Sequence, residues 1–541
     1  METLTWFGSF GGAFTIPMAA IIALVVMVVM TNGLLAFAGG NGKTALFRTG
    51  FMSMAFLFVA MFVLVILAVR GDADVDYPAV LTILGRIAAV LVAFGLFAAL
   101  TSWILLQALE DAPRSLSLGT ALLWKVLAAL AVVWLAATLL FASEADRGII
   151  VTVLGRFWPT WIALAATFAL SIRYKRHLGL YGKLFDSPVG MVGFALVMFW
   201  TFTAIFANFI ITHDPLSQLS GLKNALPGSA VKDPAPGIFP HYLFGGDHLA
   251  RDVFSRMVMG ARRVLIIAPA ATTFAFLAGV TLGLPAGYFG GKLDTFLSFI
   301  ANLVLAFPVI LLFYLLVTPE IVKSGPVIPL WMGHQWVASV PNIMAAVLFC
   351  FPIVFFCVLF NSRFHTQEAK RNLYVGSTLL IGLWAYSGLA LNADPIGIWG
   401  MEPNLLNVFV SVVFVNAPTV FRIVRGLTMD LKARDYVAAG QTRGEGAWYI
   451  MLWEILPNAR GPLIVDFCLR IGYVTILLGT LGFFGLGVTP ESPDWGSTIN
   501  AGRKLLSLFP HPAVVPALAL MSLVLGLNLL ADGLREESLR D

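Results

Sequence analysis

About thirteen separate runs in this chain are long and apolar enough to cross a bilayer, and that count limits its folds more than any other feature. A hydrocarbon core about 30 Å thick takes about 20 apolar residues in helical form, with every backbone polar group satisfied inside the segment. The runs fall at 14–37, 50–69, 78–106, 119–142, 149–172, 189–211, 264–287, 295–317, 341–360, 373–391, 405–423, 462–487 and 513–530. Only 12% of residues are charged and 59% are hydrophobic, so little soluble mass remains between the runs. The expected class is an all-α integral membrane protein. No Lys or Arg precedes the first run in "METLTWFGSF", so that run is expected to stay as a span and not to be a cleaved signal.

Loop charge sets the sidedness. "GNGKTALFRTG", "RYKRHLGLYGK", "NSRFHTQEAKRN" and the segment 422–460 are basic, whereas "GDADVDYP" and "SEADRG" lean acidic. Basic loops stay on the cytoplasmic side, which places the N-terminus outside and the C-terminus inside. The loop 212–263 lies outside despite Arg251, Arg256, Arg262 and Arg263; a loop of that length is a weak topology signal. The net charge of +5 follows from these loops and does not point to nucleic acid. Cys350, Cys357 and Cys468 lie in apolar runs without redox or metal spacing and read as small apolar residues.

The front of the chain contains a repeat. "DVDYPAVLTILGRIAAVLVAFGLFAAL" (74–100) recurs as "EADRGIIVTVLGRFWPTWIALAATFAL" (144–170), with Arg86 and Arg156 at matching places. A duplicated helical hairpin is expected. Each Arg either snorkels or pairs with a nearby carboxylate, or else grips a partner or a lipid headgroup.

Catalytic signatures are missing. "GNGKT" (40–44) lacks the leading Gly of a phosphate loop, since Phe37 stands there. His241 and His248 share a loop with no third ligand in metal spacing. Asp466 and Arg470 lie four apart in the twelfth run, so they share a helix face and can pair inside the membrane. That pair reads either as a structural clasp or as a substrate contact.

One polar stretch interrupts the apolar pattern: "DYVAAGQTRGEGAWYIMLWEILPNA", 435–459. Asp435 is placed to cap a short helix in which Ala438, Ala439 and Gly440 form a face without bulk. Gly444 breaks it, a second helix carries the apolar stripe Trp448, Ile450, Met451, Ile455 and Leu456, and Pro457 is expected to end that helix. Two short cytoplasmic helices with a hinge result, the first offered to a partner.

Here the sequence resembles a known family. "YVAA…G…ILPN" is similar to the coupling motif of ABC importer permeases, which typically reads Glu-Ala-Ala, then Gly, then Ile-x-Leu-Pro. Ala439 and Gly440 take the small positions, Gly444 the glycine, and Leu456 and Pro457 the end. Ala438 stands where Glu is usual and Glu454 where Ile is usual. "HYLFGGDHLARDVFSRMVMGARRVL" (241–265), "GLPAGYFGGKLDTFLSFIANLVLAFP" (283–308), "LGFFGLGVTPESPDWGSTINAGR" (481–503) and "NLLADGLREESLRD" (528–541) resemble further segments of the dipeptide/oligopeptide/nickel subfamily, in matching order.

The resemblance implies a six-helix permease core over 181–541, with a two-helix insert at 318–403 and an accessory membrane region at 1–180. It implies a bacterial inner-membrane importer subunit for peptides or oligopeptides, itself not an enzyme and without a cofactor. ATP and Mg²⁺ would be bound by two cytoplasmic ATP-binding subunits. A homologous second permease and an extracytoplasmic solute-binding protein would complete the assembly in the lipid bilayer. ATPase coupling would involve Asp435, Tyr436, Ala438, Ala439, Gly440, Gly444, Ile455, Leu456 and Pro457. A periplasmic gate or docking rim would involve Asp247, Arg251, Asp252, Arg256, Pro493, Trp495 and Gly496. The competing readings are an ATP-independent secondary transporter, for which Asp466 is the acidic candidate inside a core span, and a non-transporting membrane scaffold.

Overall fold

The computed structural model describes residues 4–6, five positions between 125 and 135, 147–177, 179–219, 221–232, 239–318, 325–331, 333–398, 402–486 and 492–538. The first three expected spans, all but five positions of the fourth, and the first copy of the repeat, with Arg86, lie outside the described residues. The chain divides into two compact units, one of residues 1–155 with 228–230 and one of 156–227 with 231–541.

The second unit is a helical membrane domain. Its first helices are α1 (Trp158–Tyr174), α2 (Pro188–Ile205), α3 (Val253–Phe289), α4 (Gly291–Ala306) and α5 (Val309–Val317). Then come α6 (Val340–Leu348), α7 (Cys350–Arg363), α8 (Glu368–Leu391) and α9 (Pro403–Leu431). The last are α10 (Asp435–Thr442), α11 (Arg460–Phe483), α12 (Trp495–Arg503) and α13 (His511–Ser538). Among the described residues seven helical stretches are long and apolar enough to cross a membrane, α6 and α7 counting as one. Two bent pairs, Gly148–Arg156 with Trp158–His177 and α4 with α5, bring the number to nine if each is one span.

The run 295–317, expected as one straight span, turns through 86° between α4 and α5. Phe307 is extended (φ −81°, ψ 134°) and Pro308 follows it, since the proline ring disfavours helical geometry in the residue before it.

The core is built on α3 and α9. Gly279, Gly283 and Gly287 recur every four residues along α3, and α9 lies directly on that seam. A Cβ on Gly279 would stand 2.6 Å from the Val420 side chain, and one on Gly287 2.7 Å from the Arg425 carbonyl. Close backbone approach of this kind is how helices associate where lipid supplies no hydrophobic drive. Of the α9 window, 67% is buried, against 17% for α6–α7 and 11% for α8, so the helices of the expected insert are peripheral. A short ribbon, β1 (Val327–Pro329) against β2 (Gln335–Val337), precedes α6.

The compact division falls at 155/156 and not at 180/181. Helix α1, expected within the accessory front, packs into the second unit. Phe168 meets Phe185 and Phe194 edge-on at 5.7 and 5.4 Å, and the Ser171 and Tyr181 hydroxyls are hydrogen-bonded at 2.7 Å. Arg156 lies over the Phe239 ring, 4.8 Å from its centroid.

Candidate functional site

The stretch 435–459 folds into a hairpin braced against the core. Arg434 holds the N-cap position without a side-chain cap, and Asp435 is the first helical residue. This corrects the expected Asp435 cap; one position on, its carboxylate still favours the positive helix end. Gly444 has φ +79°, and the chain closes α10 with paired bonds from Gly444 N–H to Gln441 O and from Glu445 N–H to Gly440 O, a Schellman stop. Only a residue without Cβ takes that backbone cheaply.

Burial divides the two faces of α10. Val437 and Gly440 are buried, whereas Asp435, Ala438, Ala439 and Thr442 are exposed. Spacings of three and four put those four on one face. Gly440 therefore belongs to the hairpin interior and not to the offered face. A Cβ on it would stand 3.7 Å from Ile450 and 3.9 Å from Glu454. Glu454 accepts a 2.7 Å bond from Arg443, which ties the two arms together. Tyr436 is half-buried, and burial, the larger influence, pushes its phenol up.

The second arm does not stop at Pro457. Ala447–Tyr449 leads into a π-helical turn, Ile450–Ile455, then Leu456–Asn458, then α11. The Leu456 N–H bonds to Met451 O, five residues back. Pro457 has no N–H for the Trp453 carbonyl and its ring crowds that group, and the wider turn upstream takes up the misfit. Asn458 Nδ2 adds a 2.7 Å bond to Glu454 O. Ile455 is fully buried, with Ile450, Met451 and Leu452, against Val280 and Leu284 of α3 and Val420 and Val424 of α9. Leu456 is half-buried and Pro457 exposed. Lys432 Nζ bonds to Gly287 O at 3.1 Å, and Gln441 Nε2 to the Tyr288 hydroxyl at 3.2 Å, so the hairpin is tied to the end of α3. Arg425 and Asp294 form a bidentate pair between α9 and α4.

A different construction caps the opposite end of α3. The carboxylate of Asp252 accepts from Phe254 N and Ser255 N at the helix start, from Ser255 Oγ at 2.6 Å and from Thr212 Oγ1 at 2.8 Å. Asp247 accepts from Arg251 Nε at 2.7 Å and from the amides of Leu249 and Arg251. Arg256 Nη2 bonds to Ser492 O at 2.8 Å and to Thr498 Oγ1 at 3.2 Å. Trp495 is fully buried; its Nε1 bonds to Met257 O at 2.8 Å and its ring lies where a Cβ on Gly260 would be, 2.4 Å from Cδ1. Asp494 caps α12 through Ser497 N; burial pushes its carboxyl up, against the smaller pull of the Ser497 amide and the Arg263 charge.

All seven residues expected at a gate or docking rim, Asp247, Arg251, Asp252, Arg256, Pro493, Trp495 and Gly496, are buried. Their hydrogen bonds and packing make them the frame that sets the cap's shape. For Asp247 and Arg251 the i,i+4 spacing in "DHLARDVFSR" was the available signal. A cleft lined by Arg263, Ile267, Glu402, Asn404, Leu478 and Asp494 borders this frame; sequence reading had not singled it out. Asp466 and Arg470 are paired at 2.9 Å within α11. Among the described residues no cluster of three or more potential metal ligands forms.

Residues 373–536 match the family model described as "Binding-protein-dependent transport system inner membrane component". That stretch holds α9 to α12, the hairpin, the Asp466–Arg470 pair and the 493–496 segment. The chain is 30% identical to the glutathione transport system permease protein of Pectobacterium atrosepticum, over 55% of this chain and 71% of that protein. It is 26% identical to the dipeptide transport system permease protein of Alkalihalophilus pseudofirmus, over 66% of this chain and 87% of that one. Identity to the di/tripeptide transport system permease protein of Pseudomonas aeruginosa is 25%, over 68% and 93%.

Proposed function

The chain belongs to the binding-protein-dependent transport system inner membrane components, the permeases of ATP-driven importers, and we propose that it imports peptides and is driven through the hairpin 435–457. Its relatives are named for dipeptides, di- and tripeptides and glutathione, which supports short peptides as cargo. In this reading the hairpin end is cytoplasmic, the N-terminus is outside, and the chain forms half of a pathway with a second permease. Two ATP-binding subunits act below and a solute-binding protein above. The thirteen spans then divide into an accessory front, a six-helix core and the two-helix insert.

The observation that carries the proposal is the exposed face of Asp435, Ala438, Ala439 and Thr442 on a helix whose other face is locked to α3, α9 and α11. A helix held that way passes a push on its free face to the spans, as hinge or shear motion requires. Ala438 removes a charge from this face and leaves its lack of bulk intact.

The test is co-purification of ATP-binding subunits with the tagged chain. Ala439→Arg puts a long cation on the free face and is expected to abolish association without unfolding the hairpin. Gly440→Ala, with only ordinary contacts for its Cβ, is expected to retain it. Wild-type association that survives Ala439→Arg unchanged removes the assignment.

A further inference from the structure

We infer that the peripheral rod Val340–Arg363, formed by α6 and α7, positions the coupling hairpin, and that Arg363, Ser362 and Trp453 form its working contact. The inference rests on the coupling role proposed for 435–457.

Three observations meet at one place. Trp453 lies inside the π-helical turn, and its Nε1 donates to Ser362 Oγ at 3.2 Å. The Arg363 guanidinium lies over the same indole, 4.7 Å from the ring centroid. One to two turns back along α7, Phe355, Val358 and Leu359 pack against the buried cluster that holds Ile450, Met451 and Ile455. So the end of the rod meets the hairpin by a hydrogen bond, a cation–π contact and apolar packing at once.

At that end the rod also carries α8, where Tyr374 stacks on Phe360 and Phe364 at 5.3 and 5.0 Å. The rod's span window is 17% buried, so it is not a core helix. At its other end Asn342 Nδ2 bonds to Val337 O of β2, and between α6 and α7 Phe349 meets Phe274 and Phe409 at 5.2 and 5.9 Å. The rod therefore runs from the ribbon, past α3 and α9, to the π turn.

A π turn is one extra residue held inside a helix, and its register can shift by returning to α geometry. Such a shift rotates the hairpin relative to α11. Trp453 stands in the middle of the turn, so a grip on its ring selects one register. Arg363 and Ser362 thus act through Trp453 as positioning residues. With the grip lost, the free face of α10 moves without moving the spans, and ATP is hydrolysed without the demand of a loaded binding protein.

The experiment uses the complete transporter, with this chain, its second permease and both ATP-binding subunits, in lipid nanodiscs. ATP hydrolysis is measured with and without the solute-binding protein. Arg363→Ala is expected to raise the basal rate by about fivefold, the population change that one cation–π contact supports, and to cut the response to binding protein by a similar factor. Arg363→Lys, which keeps a cation for the ring, is expected to stay near wild type; a merely structural defect would not show that split or that rescue. Trp453→Phe keeps the ring and loses the Ser362 bond, so it decides the matter where Arg363→Ala fails to assemble. Basal and stimulated rates equal to wild type in Arg363→Ala, or in Trp453→Phe where Arg363→Ala does not assemble, overturn the inference. A wild-type chain that retains no ATP-binding subunits removes the coupling role itself, and the inference falls with it.

Discussion

Asp494 shows how one buried carboxylate can make the far cap sensitive to pH. It caps α12 through the Ser497 amide, and burial raises its affinity for a proton. The folded chain then holds that proton more tightly than the unfolded chain. This contribution to stability is complete below the ordinary carboxylate pKa and is lost as pH rises through the raised value. Asp494→Asn keeps an oxygen for Ser497 and removes the charge. Thermal unfolding in detergent from pH 4 to 7 is expected to show a flatter profile for the variant, which is the more stable of the two at neutral pH. Parallel profiles would mean that this group is not the source. The same cap contains Trp495, whose Nε1 satisfies the Met257 carbonyl. Trp495→Phe removes that bond, though the Met257 carbonyl keeps its place in the α3 ladder, and is expected to cost about 0.5–1.5 kcal/mol, read as a lowered unfolding temperature. Neither role was legible in the sequence, because charged and aromatic residues in a polar loop look solvent-facing until the partners, 236 residues apart for Arg256 and Ser492, are brought together.

At the scale of elements, local rules succeeded where the backbone itself decides and failed where a neighbour does. Gly444 was legible as a break because a left-handed stop needs a residue without Cβ. Asp466 and Arg470 were legible as a pair because four residues make one turn. Pro457 was misread as a terminus, since its misfit is absorbed upstream in the π turn, which has no composition of its own. The kink at Phe307–Pro308 was written in "AFP" but hidden by the unbroken hydrophobicity around it. The Gly279–Gly283–Gly287 seam yields an element-level prediction. Gly283→Leu forces a side chain into the Phe421 carbonyl and Val424, and overpacking of this kind is expected to cost about 1–3 kcal/mol. Gly426, on α9 with nothing within 4 Å of an added Cβ, is the matched control. Gly283→Leu should lower the unfolding temperature and Gly426→Leu should not; equal effects would mean that the seam is not where α3 and α9 close.

At the scale of the whole molecule, the question is where the transport core begins. Apolar runs and the resemblance placed the boundary at 180/181, because the matching motifs start beyond it. The compact division falls at 155/156, because α1 and the Phe157 before it pack into the second unit: Trp161 against Phe199, Phe168 against Phe185 and Phe194, Phe157 against Phe254. Aromatic pairs contribute about 0.5–1.5 kcal/mol each beyond the area they bury, so removing α1 should be felt throughout the unit. Two truncations separate the boundaries. A chain starting at Arg156 is expected to retain the ATP-binding subunits on purification and to unfold near the full-length temperature. A chain starting at Tyr181 loses α1 and its aromatic contacts, and is expected to unfold several degrees lower or to fail to accumulate. If the two behave alike, α1 is no part of the core. If the longer one already fails, the core extends into residues 1–155, and the front cannot be an accessory.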